Sequence, residues 1–472
     1  MPRKACRRYA DTAGKKTAEA IRQEVEREVS ALLRLIFEDQ RKTGRLDLEA
    51  VEMAMRAAMH RAGASALSQL LRGYAPGPDE REVSCPCGQT ARYREMRSRK
   101  VLTAVGEVEF LRAWYLCPHC HSGQCPADAA LDIEKVDLSP GVRRMLALVG
   151  SEAPFDHGRQ QLELLAGLEV TAKAVERTAE AIGADIAAGE QREIQRALQL
   201  NLPLVAGQPI PILYVEMDGT GVPVVKAETE GRSGKVRGQP AHTREAKIGS
   251  VFTQTTWDSE GYAVRDPGST TYVAAIESAA EFGPRLYLEA WNRGWERAEK
   301  KVVIGDGAEW IWNNADDHFP GAIQIIDIFH ARQHLWDVAR KLYPGQEADQ
   351  KRWMAIHQDE LLDEGKIEEL VAALRAIDSL HPELHPELLE KIRTEADYFD
   401  NNKERMRYPN FRAQHLFIGS GVIEAGCKTI IGSRCKQSGM FWTVRGANAI
   451  LALRCCHFNA RFENYWEGRR AA

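Results

Sequence analysis

Two short stretches decide the fold expected of this chain: ILYVEMD at Ile212–Asp218 and KVVIGD at Lys301–Asp306. Each is a short apolar run, which is typical of a buried β-strand, and each ends on an aspartate that a glycine follows. A third acidic stretch, GVIEA at Gly421–Ala425, predicts the start of a helix much later in the chain. We therefore expect two strands and one helix to bring three acidic side chains together.

The acids of these stretches, Asp218, Asp306 and Glu424, form a donor set that suits a divalent metal. Hard cations such as Mg²⁺ or Mn²⁺ take oxygen ligands and keep open positions for a substrate phosphate. Two such ions about 4 Å apart can activate a nucleophile and stabilise a leaving oxygen. Each Asp-Gly pair taken singly is more typical of an ordinary turn, so the prediction depends on the three acids together.

The strings around these acids resemble a known protein family. They read VEMDGTGVPV, GDGAEWIW, DIFHARQHL and GSGVIEAGCK, the last followed by RCKQSGMFW. Together they resemble the insertion-sequence transposases of the Kra type (the ISKra family), a branch of the DDE transposases, over about residues 135–470. The resemblance implies metal-dependent DNA cleavage and strand transfer by a ribonuclease H-like α/β core. It also implies two Mg²⁺ or Mn²⁺ ions, double-stranded DNA (terminal repeats and target) as partner, and a homodimer or higher oligomer.

Single residues receive roles from the same resemblance. Asp218 and Asp306 would bind metal directly, with Asp218 bridging both ions, and Glu424 would hold the second ion. The D-x-x-H string at Asp327 and His330 resembles one that lies near the active site in Mutator and hAT transposases. The alternative is an aspartate that caps the next helix beside a surface histidine.

Basic residues that follow Glu424 are candidates for DNA contact. Lys428, Arg434 and Lys436 would bind phosphate groups, which is how most protein–DNA hydrogen bonds are made. Trp442 could stack on an unpaired base, although a core aromatic is the simpler interpretation.

Paired cysteines predict a zinc-ribbon-like unit over residues 80–130. Cys85 and Cys87 form one pair, Cys117 and Cys120 form another, and a strand-like segment separates them. Structural Zn²⁺ takes four such thiolates in a tetrahedron, which would stabilise a small β unit. Reduced thiols without a metal are the alternative. Three further side chains are spare ligand candidates: His119, His121 and Cys125.

A helix-turn-helix-like region is expected within residues 135–200. Phe155–Leu165 has helical periodicity, Ala166–Val170 would be the turn, and a second helix would run from Thr171 until Gly183 ends it. This second helix would offer Lys173 and Arg177 to a DNA groove; an ordinary core helix pair is the alternative.

The remaining boundaries complete a multidomain α+β architecture. Residues 1–75 predict a helical N-terminal region with a basic tail, and Pro76-Gly77-Pro78 predicts a linker. The catalytic core is expected at 205–330 and 415–472, with its first strand ending at Asp218 and a loop from Thr220 to Pro240. Residues 331–414 predict a helical insertion that separates Glu424 from the two aspartates.

Composition narrows the remaining function classes. The net charge of −4 argues against a basic nucleic-acid-binding protein as a whole, and 44% hydrophobic residues suffice for packed cores. The sequence has neither an apolar run of about 20 residues nor a secretory signal, so we expect a cytoplasmic, nucleoid-associated protein outside any membrane. Two other functions fit the same residues. One is a metal-dependent nuclease or resolvase without strand transfer, and the other is a DNA-binding regulator with an inert core.

Overall fold

The computed structural model describes residues 3–43, 47–74, 81–199, 201–234, 239–380 and 384–471. The chain forms two compact units, Met1–Ala179 and Glu180–Ala472, and contains both helices and several sheets. This confirms the predicted mixed α+β class. None of the helices within the described residues is long and apolar enough to cross a membrane. The predicted linker Pro76-Gly77-Pro78 lies outside the described residues.

The first unit combines helices with one small sheet. Its elements are α1 (Arg3–Thr43), α2 (Leu48–Tyr74), β1 (Glu82–Ser84), β2 (Thr90–Thr103), β3 (Gly106–Leu116), β4 (Gly123–Gln124), α3 (Pro126–Ala130), α4 (Pro140–Glu152), α5 (Phe155–Gln161), a π-helical turn (Leu162–Ala166) and α6 (Ala172–Leu198), which continues into the second unit. The two long N-terminal helices confirm the helical prediction for this region. The sheet order is β1-β2-β3-β4, and all its pairs are antiparallel.

The predicted helix-turn-helix differs from the structure at its second helix. The first helix and its π-helical turn end at Gly167, whose φ of +65° is one that glycine adopts readily. The hydroxyl of Thr171 accepts the backbone N–H of Ala174 and caps α6, as the sequence predicts. The predicted end at Gly183 is wrong, because α6 continues to Leu198. A Cβ atom at Gly183 would overlap the carbonyl oxygen of Ala449, so this glycine permits close backbone packing.

The second unit contains the larger sheet and most of the helices. Its strands are β5 (Ile210–Pro223), β6 (Thr243–Gln254), β7 (Thr256–Trp257), β8 (Ala263–Val264), β9 (Thr271–Ala275), β10 (Ala298–Gly305) and β11 (Ile323–Ile326). Its helices are α7 (Ala279–Asn292), α8 (Glu309–His318), α9 (Ile328–Leu342), α10 (Glu347–Met354), α11 (Ile367–Leu380), α12 (Pro386–Asn401), α13 (Tyr408–Arg412), α14 (Gly421–Gly426), α15 (Ser433–Cys435), α16 (Val444–Phe458) and α17 (Phe462–Ala471). Cys427–Gly432 forms a π-helical turn that joins α14 to α15.

The larger sheet has the order β11-β10-β5-β6-β9. Strands β10 and β11 run parallel to β5, whereas β6 and β9 continue on its other side in antiparallel pairs. The predicted end of the first strand at Asp218 is wrong, because β5 continues to Pro223 while it pairs with β6. Its pairing with β10 does stop near there, at Glu216 opposite Ile304. Asp218 therefore lies where one neighbouring strand ends and the other continues.

The described residues between β11 and α14 are mostly helical, in agreement with the predicted helical region 331–414, and residues 413–420 form a non-helical connection to α14. Buried side chains of α9, α11 and α12 join the same apolar core as strands β5 and β10. These helices therefore pack on the sheet that carries the aspartates. Residues 381–383 lie outside the described residues, and His385 precedes the first turn of α12.

Candidate active site

Parallel pairing of β5 with β10 aligns the two predicted catalytic aspartates. The last pair in the register joins Ile304 to Glu216, and Asp306 and Asp218 each follow two residues later. Both aspartates are half-buried. Their negative charges help to raise the pKa of His330, after the larger effect of its hydrogen bond with Asp327. These four side chains therefore share one electrostatic environment.

Hydrogen bonds orient both aspartates. Asp218 accepts the backbone N–H of Gly219 at 2.6 Å with one oxygen and the thiol of Cys427 at 3.0 Å with the other. Asp306 accepts the N–H of Ala308 at 2.8 Å, which closes the turn after β10. Each carboxylate keeps further lone pairs that these contacts do not use.

Glu216 is a site residue that the sequence interpretation missed. Its side chain is 0% exposed, and its Oε2 accepts the N–H of Ile423 at 2.7 Å and the hydroxyl of Ser250 at 3.1 Å. Burial raises the pKa of Glu216 to about 8, which favours the protonated, uncharged carboxyl. The first-turn N–H groups of a helix have no partner within the helix. Glu216 therefore supplies from β5 an acceptor that α14 needs.

Asp327 holds the start of the same helix from another strand end. It is fully buried, caps α9 by accepting the N–H of Phe329 at 2.7 Å, and accepts both the N–H and the hydroxyl of Ser420. Its second oxygen also lies 3.2 Å from Nδ1 of His330. Burial opposes ionisation, but the hydrogen bonds from His330 and Ser420 lower the pKa of Asp327. Asp327 therefore caps α9, as the alternative interpretation expects, and also lies within hydrogen-bond distance of His330, as the near-site prediction expects.

These two buried carboxyl groups determine where Glu424 lies. Glu216 binds Ile423, immediately before Glu424, and Asp327 binds Ser420, whose carbonyl accepts the N–H of Glu424 at 3.1 Å. Glu424 itself is half-buried. The start of α14 is therefore tied to the sheet at two points that flank the predicted third catalytic acid.

Several side chains that can bind a metal lie close together here, but the three predicted catalytic acids do not form one group. Asp327, His330 and Glu424 offer ligand atoms that all lie within 4.8 Å of one another, and Asp218 and Asp306 are not in that group. The oxygens of Asp327 already accept several hydrogen bonds, so we interpret this residue as positioning the site. In the part of the chain that the structure describes, no lysine or arginine forms an ion pair with Asp218, Asp306 or Glu424. Half-buried carboxylates without a counter-ion suit a divalent cation.

The predicted phosphate-binding residues divide by exposure. Lys428 and Lys436 are exposed, and the ammonium group of Lys436 donates to the hydroxyl of Thr220. Arg434 is 0% exposed and its guanidinium lies 5.0 Å from the centre of the Trp442 ring. Its predicted contact with DNA phosphate is therefore corrected: the group packs in the interior. Trp442 is buried as well, in agreement with the core interpretation.

In the first unit, Lys173 and Arg177 are both exposed on α6. Lys173 forms an ion pair with Glu176 at 2.6 Å. Their predicted contact with DNA remains a prediction.

The four predicted zinc ligands form one cluster in the first unit. The sulfur of Cys85 lies 3.4 Å from that of Cys87 and 3.5 Å from that of Cys120, and Cys87 lies 3.7 Å from Cys117. A tetrahedron with metal–sulfur bonds of about 2.3 Å has edges of about 3.8 Å, close to these separations. The thiols of the cluster shift in opposite directions, because the hydroxyl of Ser122 lowers the pKa of Cys120 to about 6 while the neighbouring thiols raise the pKa of Cys87 to about 12. The cluster therefore fits a metal ion, and Cys125 lies outside the group.

Comparison with known proteins adds no family assignment to this geometry. Neither the protein-family models nor the curated proteins that were searched include a match to this chain.

Proposed function

We propose that this chain is a DNA transposase of the DDE type, related to the Kra-type insertion-sequence transposases, which cleaves DNA and transfers the cut strand. The observation that carries this proposal is the alignment of Asp218 and Asp306 on adjacent parallel strands beside a helix that carries Glu424. Phosphoryl transfer needs such convergent carboxylates, whereas a DNA-binding regulator has no use for them.

The topology of the second unit supports a ribonuclease H-like core within this proposal. Three antiparallel strands, β5, β6 and β9, are followed by α7 and then by β10 and β11 parallel to β5. That succession is the one expected of such a core, with the helical segment 331–414 as an insertion before α14.

In the proposed mechanism Asp218, Asp306 and Glu424 would hold the divalent ions, Mg²⁺ or Mn²⁺. Bound metal supplies activation of the attacking oxygen and stabilisation of charge on the phosphate. Asp327 keeps Glu424 in place and receives the hydrogen bond of His330. Half-burial of the carboxylates limits the water around them, which strengthens their attraction for a cation.

The proposal also assigns partners to the rest of the chain. Terminal repeats and target DNA are both double-stranded, and bringing two ends together requires a homodimer or larger assembly. Exposed Lys428 and Lys436 would contact phosphates beside Glu424. The cysteine cluster would hold structural Zn²⁺ in a zinc ribbon, and the α5–α6 region would contact DNA through Lys173 and Arg177.

A reaction with labelled DNA tests the proposal. The purified chain is incubated with Mg²⁺ or Mn²⁺, a duplex that carries the DNA flanking its coding region, and a plasmid target. We expect cut ends and joined products. Asp218→Asn, Asp306→Asn and Glu424→Gln should each lower the cleavage rate by more than about 100-fold while DNA binding persists, since even outer-shell residues of metal sites contribute about 10–100-fold. The matched control is Asp317→Asn, which changes an exposed acid on α8 and should cleave at the normal rate.

Two results would replace this proposal. Cut ends without any joined product would indicate a nuclease or resolvase of the same fold. Function that survives both aspartate substitutions unchanged would indicate a DNA-binding regulator whose core is inert.

A further inference from the structure

A cavity of about 570 Å³ opens beside the candidate active site, within the second unit. Three segments line it: the hairpin of β7 and β8, the first turns of α9, and residues 412–418. Its volume lies within the range of about 300–1,000 Å³ that small-ligand sites occupy. The cavity is large enough to accept one small aromatic ligand but not a double helix.

The hairpin wall of the cavity is held in place by specific contacts. His415 Nδ1 lies 2.8 Å from the carbonyl oxygen of Gly261, and its ring stacks on Trp257 with 4.3 Å between ring centres. The carboxylate of Asp258 accepts the backbone N–H groups of Glu260 and Tyr262, both at 2.9 Å. This wall is therefore fixed before any ligand enters, which limits the ordering that binding would require.

Two aromatic rings face water at this cavity. Tyr262 is 62% exposed and Phe329 is 60% exposed, although both lie beside buried apolar residues such as Ile328 and Leu416. Large exposed apolar side chains that gather at one concave site indicate a binding surface. Flat rings of this kind stack on nucleobases of any sequence.

Two arginine side chains also line this cavity. The guanidinium of Arg332 lies 5.8 Å from the centre of the Phe329 ring and pairs with Asp363. Arg412 donates to the backbone carbonyl of Asp363 and, within the described residues, forms no ion pair. Its positive charge is therefore available to an anionic group. Among the described residues that line the cavity, Glu260 supplies the one carboxylate, and its side chain is exposed.

The cavity borders the carboxylate site, because neighbouring residues of the same two backbone segments contribute to both. Phe329 stands between Asp327 and His330, and Ile418, another lining residue, stands two positions before Ser420. The ring of Phe329 lies so close to Gly419 that a Cβ atom there would approach it to 2.8 Å. A ligand in the cavity would therefore lie next to whatever phosphate the carboxylates hold.

We propose that this cavity receives an unpaired nucleotide of the DNA substrate, with its base against Tyr262 and Phe329 and its phosphate near Arg412. This inference builds on the proposed function, because it places the nucleotide next to the phosphate under attack. Stacking rings and a free arginine are the combination that binds single-stranded DNA without sequence preference. An extruded base enters such a pocket most readily where the duplex is already open.

Binding of a fluorescent oligonucleotide tests the inference without any cleavage. The full chain is titrated, with no divalent metal present, with short oligothymidylate that contains one 2-aminopurine, whose fluorescence falls on stacking. We expect binding with quenching. Tyr262→Ala and Phe329→Ala should each weaken binding about tenfold and reduce the quenching, because one base–aromatic stack contributes that much. Arg412→Ala should weaken oligonucleotide binding and reduce the salt dependence of that binding. Glu260→Gln removes a negative charge and should strengthen the binding.

The matched controls are Phe458→Ala and Arg375→Ala, which remove an exposed ring and an exposed cation of the same unit outside the cavity. Quenching that the control substitutions reduce as much as Tyr262→Ala would overturn the inference. So would binding of duplex in preference to the oligonucleotide, or binding of peptides in its place. Asp306→Asn separates the two proposals, because it should abolish cleavage and leave this quenching unchanged. If the protein cleaves DNA normally but does not quench the 2-aminopurine fluorescence, the nucleotide-binding role of the cavity alone is refuted. If it quenches the fluorescence but never cleaves DNA, the transposase activity alone is refuted.

Discussion

The two candidate metal sites of this chain are built in opposite ways. The four cysteines come in two close pairs, Cys85 with Cys87 and Cys117 with Cys120, at neighbouring ends of one small antiparallel sheet. The acidic site instead draws Asp218 from β5, Asp306 from β10 and Glu424 from a helix that begins after a long helical segment. One site needs only a hairpin to form, whereas the other needs the whole second unit.

This difference predicts how each site depends on its surroundings. A metal that joins two local pairs contributes directly to the folding of a small unit. A site assembled from distant elements depends on the packing and hydrogen bonds that hold those elements together. Substitutions should therefore break the first site at its ligands and the second site also at residues that never touch a metal.

The largest effect is expected at the cysteine cluster. On the proposal that the cluster holds zinc, Cys87→Ser should remove one equivalent of it and unfold the β1–β4 sheet, since structural zinc contributes about 10–16 kcal/mol in small zinc domains. Zinc content and hydrogen exchange of the β2 and β3 amides measure this. Cys125→Ser is the matched control, because Cys125 lies outside the group of four. Equal metal content in both variants would show that the cluster does not bind zinc.

The second largest effect is expected from a substitution that disturbs helix packing away from the three acids. Gly183→Ala places a methyl group against the carbonyl oxygen of Ala449, so we expect it to lower the free energy of unfolding by about 1–3 kcal/mol or more. Chemical denaturation of the full chain, followed by fluorescence, measures the change. Gly189→Ala in the same helix meets only the end of Arg192, at 3.8 Å, and should raise stability by up to about 1 kcal/mol. If both substitutions behaved alike, helix propensity rather than close packing would explain Gly183.

The same contrast explains what the sequence could and could not predict. The cysteine pairs are recognisable because each lies within a few residues, and the two aspartates because each follows an apolar run and precedes a glycine. The helix end predicted at Gly183 is wrong because glycine often ends a helix, and no local pattern indicates that Ala449 packs against this residue. Contacts between distant residues leave no mark on local periodicity.

Glu216 and Arg434 illustrate the same limit for charged residues. Glu216 lies in an apolar run, in phase with Asp218, and that phase was the available signal that both side chains share one face of β5. Arg434 looked like a phosphate ligand because of its charge and its place after Glu424, but charge alone does not indicate exposure. Whether a charged residue is exposed depends on its tertiary neighbours, here Trp442 for Arg434.

A moderate effect is expected at Glu216. Glu216→Leu keeps the volume but leaves the N–H of Ile423 without its acceptor, so the start of α14 should loosen and metal affinity should fall about 10–100-fold. Glu216→Gln retains a carbonyl acceptor and should restore most of that affinity. Mn²⁺ binding followed by electron paramagnetic resonance reports the affinity, and thermal unfolding reports stability separately. Loss of affinity in both variants alike would mean that the carboxyl does more than accept these hydrogen bonds.

The smallest effect is expected at Ser420. Ser420→Ala removes the hydroxyl that donates to Asp327 but keeps the backbone N–H that donates to the same oxygen at 3.2 Å. Because one of these two hydrogen bonds survives, we expect the free energy of Mn²⁺ binding to weaken by about 1 kcal/mol, which lowers the Mn²⁺ affinity about fivefold. Ser379→Ala, which removes an exposed hydroxyl whose bond within the described residues is to the carbonyl of Ala376, is the control and should leave the affinity unchanged. A loss at Ser420 as large as that of Glu216→Leu would show that Asp327, rather than Glu216, is the main anchor of α14. In that case the acidic site would depend chiefly on the end of β11, and less on the strand that carries Asp218.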